Sequence, residues 1–365
     1  MGFRCGIVGL PNVGKSTIFN AMTSAGIESA NYPFCTIEPN VGMVAVRDQR
    51  LDKLSALAKT KKEVYAQMEF VDIAGLVAGA SKGEGLGNQF LAHIRQVDAI
   101  AHVIRCFEDE NIVHVSGHID PLRDREIINT ELMLADMDTV ARRIDKTSGR
   151  ARTGDKASQL QMITLEKLAK LLDAGKPARL LEVDETNRGL LKELCLLSAK
   201  PVLYVANVKE ADILTGNQWV EQLREVAERE DQAPVVLISG AIEEELSNMP
   251  PEERQEFLAD MGMEESGLNR LVRAGYNLLH LINYFTVGVQ ETRAWTIPEG
   301  TAAPQAAGVI HSDFEKGFIR AEVYTLDDLE TYKSEKDIRQ AGKLRVEGKA
   351  YVMQDGDICH FLFNT

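Results

Sequence analysis

The chain has 365 residues, 44% of them hydrophobic and 26% charged, which fits a folded globular protein and excludes a disordered or fibrous one. Its net charge of −14 repels duplex nucleic acid as a whole, so DNA is not expected as a partner and any RNA contact needs a local basic patch. No apolar run reaches the roughly 18 residues of a membrane span. The first residues, Met1 to Gly6, carry neither a secretion-signal core nor the Ser/Thr of a myristoylation site. Cys5, Cys35, Cys106, Cys195 and Cys359 are dispersed, with no Cys-x-x-Cys pair. A reduced, cytoplasmic protein without a disulfide scaffold or zinc site is expected.

In chain order, short apolar runs at Phe3–Val8, Met68–Val71 and Ala99–Ile104 alternate with helix-like segments. This predicts a mostly parallel sheet with helices on both faces. Two further strands, Pro201–Ala206 and Ala233–Ile238, come only after a long interruption from about Arg123 to Lys200. There Leu134, Met137, Ala141 and Ile144 recur at helical spacing, as do Leu165, Leu168 and Leu172, so the interruption reads as an inserted helical hairpin. Its middle, Arg142 to Lys156, holds six basic and two acidic side chains. In an acidic chain, that cluster is the candidate surface for RNA phosphate. Met249–Glu256 reads as a linker entering a helix. From about Leu281 the pattern becomes strand-rich: Phe285, Val287 and Val289 alternate, Phe318–Tyr324 is a strand, and Asp355-Gly356 signals a hairpin.

Gly9-Leu10-Pro11-Asn12-Val13-Gly14-Lys15-Ser16 fits G-x-x-x-x-G-K-[ST] between a strand and a helix beginning near Thr17. In that context it reads as a phosphate-binding loop. Its glycines let backbone N–H groups face the phosphates, and the helix N-terminus adds positive potential. Lys15 would reach the β- and γ-phosphates and Ser16 would ligate Mg²⁺. Asn12, Val13, Gly14 and Thr17 complete this loop. Thr36, in Asn31-Tyr32-Pro33-Phe34-Cys35-Thr36, is a second Mg²⁺ ligand candidate. Asp72, in Asp72-Ile73-Ala74-Gly75, would hold an Mg²⁺-bound water, while the Gly75 N–H would sense the γ-phosphate. Cys35 adjoins the Mg²⁺ loop and is read as an incidental thiol.

These motifs, with Gly83-Glu84-Gly85-Leu86-Gly87-Asn88-Gln89-Phe90 and the C-terminal stretch Thr301–Ala321, resemble the Obg-like ATPase family of the ribosome-binding YchF type over essentially the whole chain. The resemblance implies an α/β P-loop G domain over 1–256, with the helical insertion at about 123–200. A linker or helix at 257–279 and a β-grasp TGS domain over 280–363 would follow. It also implies ATP as ligand, with Asn207 bonding adenine, and the ribosome (large subunit or 70S) as partner. RNA contact by the TGS module is likewise implied by resemblance only, because residues 280–365 hold nine basic and 13 acidic side chains.

Two departures matter. A guanine-reading domain carries Asn-Lys-x-Asp after a strand; here the stretch is Asn207-Val208-Lys209-Glu210. Glu210 is one methylene too long for the same bidentate pose, and such a loss costs about a thousandfold in discrimination. Phe107 is placed to wall the base, and Ser239-Gly240-Ala241 to close the base loop. The usual water-orienting Gln after Gly75 is Leu76, so hydrolysis should be slow. His114, past the end of the third strand, is the candidate that positions the attacking water, with His118 second. The expectation is a slow Mg²⁺-dependent ATPase acting as a nucleotide switch on the ribosome, with a monomer as default. An Obg-type GTPase in ribosome assembly and a non-catalytic nucleotide-gated scaffold remain the alternatives.

Overall fold

The computed structural model describes residues 3–29, 40–73, 86–114 and 117–364. Among them are twelve strands: β1 (Arg4–Val8), β2 (Val41–Val46), β3 (Glu63–Val64), β4 (Ala66–Asp72), β5 (Ala99–Arg105), β6 (Val202–Asn207), β7 (Val235–Ile238), β8 (Leu281–Thr286), β9 (Thr292–Pro298), β10 (Phe318–Tyr324), β11 (Arg345–Glu347) and β12 (Ile358–Phe363). They form two six-stranded sheets, ordered β2-β4-β1-β5-β6-β7 and β11-β10-β12-β8-β9-β3. The chain divides into two compact units. One comprises Phe3–Val44 and Glu69–Gly275; the other comprises Ala45–Met68 and Tyr276–Thr365, taken over the described residues.

In the first unit β1 runs parallel to β4 and β5, β5 to β6, and β6 to β7. β5 and β6 are buried along their whole length, which is why they read as unbroken apolar runs rather than alternating ones. The helix Lys15–Ser29 leaves the phosphate loop directly. This is the α/β architecture expected.

Between β5 and β6 the chain forms the helical hairpin. Its helices are Pro121–Arg152 and Lys156–Asp173, followed by the shorter Arg188–Leu194. Asp120 caps the first helix by accepting from the Arg123 N–H, with Pro121 in the first turn, and Asp155 caps the second through Ser158. Gly154, at φ 92, makes the tight turn between them. The hairpin core is Met133, Val140, Leu165, Leu168, Leu172, Ala178, Leu190 and Leu196, with Met137 and Ile144 at its rim. The buried stripe of the first helix therefore runs one residue earlier than Leu134 and Ala141. The second helix buries Leu165, Leu168 and Leu172 as its period predicts.

In the second unit β8 and β9 form an antiparallel hairpin, β12 lies between β10 and β8, and the helix Ala303–Ile310 supplies Ala303, Ala306 and Ala307 to a core with Tyr284, Ile297 and Phe361. A helix laid against a mixed sheet is the β-grasp arrangement that the resemblance implies. Residues 45–68 pack here, although they lie inside the 1–256 stretch expected to be one domain. The reason is long-range pairing that periodicity cannot report. β3 runs parallel to β9, and Arg50 makes two bonds to Asp355 at 2.7 and 3.2 Å. The expected hairpin at Asp355-Gly356 is also not formed. Asp355 accepts from the Asn283 N–H, Gly356 N donates to Asn283 O, and β12 pairs with β10 and β8 instead. No helix among the described residues is long and apolar enough to cross a membrane.

Candidate nucleotide-binding site

The phosphate loop links the buried end of β1 to the first helix. Asn12 and Gly14 take positive φ, 64° and 93°, which curls the loop. Asparagine tolerates that region, and glycine has no Cβ to oppose it. At Gly14 a Cβ would also strike the amide of Asn207, so this position excludes any other residue twice over. Val13 is buried, whereas Asn12 and Ser16 are exposed. Lys15 forms a salt bridge to Asp72 at the end of β4, both groups being largely buried. The two expected phosphate and metal groups are thus brought together. The Ser16 hydroxyl and the Asp72 carboxylate are hard oxygen donors that fit Mg²⁺. Thr36, Gly75, Leu76 and Cys35 lie outside the described residues.

Beside the loop opens a cleft of about 530 Å³. Asn12, Gly14 and Thr17 form its phosphate end, and Phe107, Val208, Glu210 and Ser239 line it as well. The sequence-predicted base residues therefore do meet. Asn207 is 4% exposed, and much of its amide is already in use. Nδ2 donates to Val13 O at 2.9 Å and Oδ1 accepts from Gly240 N at 3.0 Å. It works as a clasp between the phosphate loop and the 239–240 loop, leaving one amide hydrogen for a ligand. Val208 is buried and Glu210 is exposed at the rim. The Ser239 hydroxyl is 1% exposed and has no hydrogen-bond partner among the described residues, as suits a group that awaits a ligand.

Two residues missed at the sequence level shape this cleft. Arg105, at the end of β5 and 1% exposed, is bonded to carbonyls rather than to a carboxylate. Its guanidinium donates to three of them, Phe107 O and Ile112 O at 3.0 Å and Asp109 O at 3.3 Å, and lies 4.7 Å from the Phe107 ring centroid. It staples the wall of the cleft from beneath. Asn217 ties the opposite rim to the same loop, donating to Cys106 O and to Asp212, both at 2.8 Å. A strand-terminal Arg in an apolar run was the signal available for the first. Asn217 gave no signal beyond its place as a helix cap.

His114, the candidate for positioning the attacking water, lies next to the phosphate loop in the chain's hydrogen bonding but is not open to solvent. Asn12 Nδ2 donates to Val113 O at 3.1 Å, so the backbone here reaches the phosphate loop. The His114 ring is buried, and its Nε2 pairs with Asp124 Oδ2 at 2.9 Å. Burial pushes the Asp124 carboxyl up, against the lowering effect of the His114 contact. His118 is exposed.

Residues 4–143 match the family described as "50S ribosome-binding GTPase", and residues 281–364 match the YchF-GTPase_C family, described as a protein of unknown function. The chain is 54% identical over 365 residues to a protein of Escherichia coli O157:H7 named ribosome-binding ATPase YchF, covering all of both chains. A Bacillus subtilis protein of the same name is 54% identical over 367 residues, again at full coverage. The solved structure of the Schizosaccharomyces pombe YchF GTPase is 42% identical with a TM-score of 0.90, covering 99% of this chain and 98% of that one.

Proposed function

The chain belongs to the YchF family, and from that premise we propose that it is a P-loop ATPase that binds the ribosome and acts there as a slow nucleotide switch. The observation that carries ATP over GTP is the base end of the cleft. Where guanine would need a fixed aspartate, the chain has Glu210, exposed at the rim, and the neighbouring lysine position is Val208, which is buried. At the motif position that accepts the two guanine N–H groups, the carboxylate is one methylene longer than the aspartate that reads guanine. Phe107, fixed by Arg105, supplies an apolar wall that serves either purine.

On triphosphate binding Lys15 exchanges Asp72 for the β- and γ-phosphate oxygens, and Asp72 is released. Ser16 and Asp72, with Thr36, would hold Mg²⁺, whose charge neutralises that developing on the phosphates. The Gly75 N–H is assigned to the γ-phosphate. His114 is assigned to position the attacking water, since Leu76 has no group to do so. Its buried pairing with Asp124 agrees with slow turnover. Ribosome binding follows the names of the full-length relatives. The exposed Arg142, Lys146, Arg150 and Lys156 of the hairpin are the surface assigned to ribosomal RNA. A monomer in the cytoplasm completes the reading.

The S. pombe relative is named a GTPase, so base choice is the test. Competition of ATP against GTP for the Mg²⁺-loaded protein, by calorimetry, should favour ATP by tenfold or more, roughly the 1.4 kcal/mol of one good hydrogen-bond difference. A preference for GTP would show that Glu210 still reads guanine and would put an Obg-type GTPase in its place.

A further inference from the structure

Three aspartates of the first unit are almost wholly buried, and two of them are fully bonded. Asp136 accepts from Leu197 N, Ser198 N and Ser198 Oγ at 2.6–2.8 Å. Asp231 takes Arg125, Arg179 and Tyr204. Asp124 differs. One oxygen meets His114, while the other, Oδ1, is buried with no hydrogen-bond partner among the described residues. An orphaned carboxylate oxygen weakens a folded state, so this site is poorly finished as a structural one. It is well finished for one task, which is holding an imidazole.

The position of His114 says what that task is. Its preceding carbonyl, Val113 O, accepts a hydrogen bond from Asn12 of the phosphate loop. The ring, however, is 3% exposed and turned onto Asp124. An imidazole can order a water only by presenting a nitrogen to it; here Nε2 is spent on Asp124 and the burial of the ring closes Nδ1 to solvent as well. We propose that Asp124 is a positioning residue that withholds His114 in the resting enzyme, so that turnover waits for the His114–Asp124 contact to open. The inference rests on the reading of His114 as the water-positioning group. Asp124 sits in the first turn of the helix Pro121–Arg152. That helix is about 48 Å long at 1.5 Å per residue and carries the basic stretch at its far end.

The test is steady-state ATP hydrolysis by the full chain without ribosomes, comparing Asp124→Ala, Asp124→Asn, His114→Ala and the double variant Asp124→Ala/His114→Ala. Asp124→Ala should raise kcat about tenfold with little change in KM, the population gain expected when a charge-assisted contact holding the resting state is lost. In the double variant the gain should vanish. A merely structural residue would not raise kcat when removed. A lower kcat at constant KM would mean that Asp124 orients His114 for work, and would overturn the proposal. So would an unchanged kcat in a background where His114→Ala lowers it. Should His114→Ala alone leave kcat at the wild-type value, the water-positioning reading fails and the proposal falls with it, an outcome distinct from failure of the latch alone. Asp124→Asn keeps the shape of the site. If the alanine variant does not fold, an unchanged or lower kcat for Asn is the overturning result.

Discussion

Two adjacent residues at the foot of the hairpin, Asp124 and Arg125, enter polar sites built to opposite standards. Arg125 reaches Asp231 with Nε at 2.7 Å and Nη2 at 2.5 Å; Arg179 closes on the other oxygen at 2.5 Å, and Tyr204 adds its hydroxyl at 2.7 Å. Burial alone would raise the Asp231 carboxyl, yet Arg179, Tyr204 and Arg125 hold it below its usual value. Asp124, one residue earlier, has His114 as its side-chain partner and a carboxyl pushed up by burial. The difference teaches which joint is fixed and which can open. The Asp231 node fastens the hairpin to β6, and the Asp124 contact is the weaker member, next to the candidate chemistry.

The largest expected effect breaks the fixed joint. Asp231→Ala leaves two buried guanidiniums without their shared carboxylate, which costs about 3–5 kcal/mol. It should appear as a marked fall in the thermal unfolding midpoint. Among molecules that remain folded, the KM for ATP should stay near wild type. Acceleration of turnover like that expected from Asp124→Ala would erase the distinction between the two joints.

That distinction was not legible in the sequence. Arg125 and Asp231 are 106 residues apart, and their partners lie on elements that periodicity cannot bring together. What the sequence did disclose was local. The phosphate loop, Asp72 and the position of Asn207 follow from strand–loop–helix order, and the hairpin follows from a 3.6-residue period. Phe107, Val208, Glu210 and Ser239 could be placed at the cleft because each closely follows a recognisable strand. The membership of residues 45–68 in the second unit was hidden for the same reason as the Asp231 node. It depends on β3 meeting β9 across more than two hundred residues. The burial of His114 was hidden too, because a loop histidine carries no periodic sign of its partner.

A pH measurement sharpens the comparison from the other side of the node. His102 on β5 is fully buried, with its ring centroid 5.5 Å from that of Tyr204 and no hydrogen-bond partner for Nε2 among the described residues. Burial first, then the Arg125 charge, lowers its pKa from 6.5 to about 3. The folded chain therefore keeps His102 neutral where the unfolded chain takes up a proton. The stability it contributes is complete above pH 6.5 and is lost as pH falls toward 3. Between about pH 6 and 4.5 this should cost about 2 kcal/mol, at roughly 1.4 kcal/mol per pH unit. His102→Phe should flatten that part of the curve of unfolding midpoint against pH. An unchanged slope would assign the acid loss to other groups.

The smallest expected effect concerns Arg105, a buried cation held by carbonyls where Arg125 and Arg179 are held by a carboxylate. Arg105→Lys keeps the charge but replaces a planar fork with a point donor that cannot hold Phe107 O, Asp109 O and Ile112 O together. The carbonyls stay in place only as far as the rest of the loop holds them, through Asn12 to Val113 and Asn217 to Cys106. The cost should therefore be local, about 1 kcal/mol, which weakens ATP binding roughly fivefold. The global unfolding midpoint should move far less than for Asp231→Ala. Calorimetric titration of ATP into the variant reads this directly. Equal weakening of ATP and GTP would mark Arg105 as support for the apolar wall alone. A change in their ratio would mean that the stapled carbonyls themselves read the base, because only groups facing the purine edge can tell adenine from guanine.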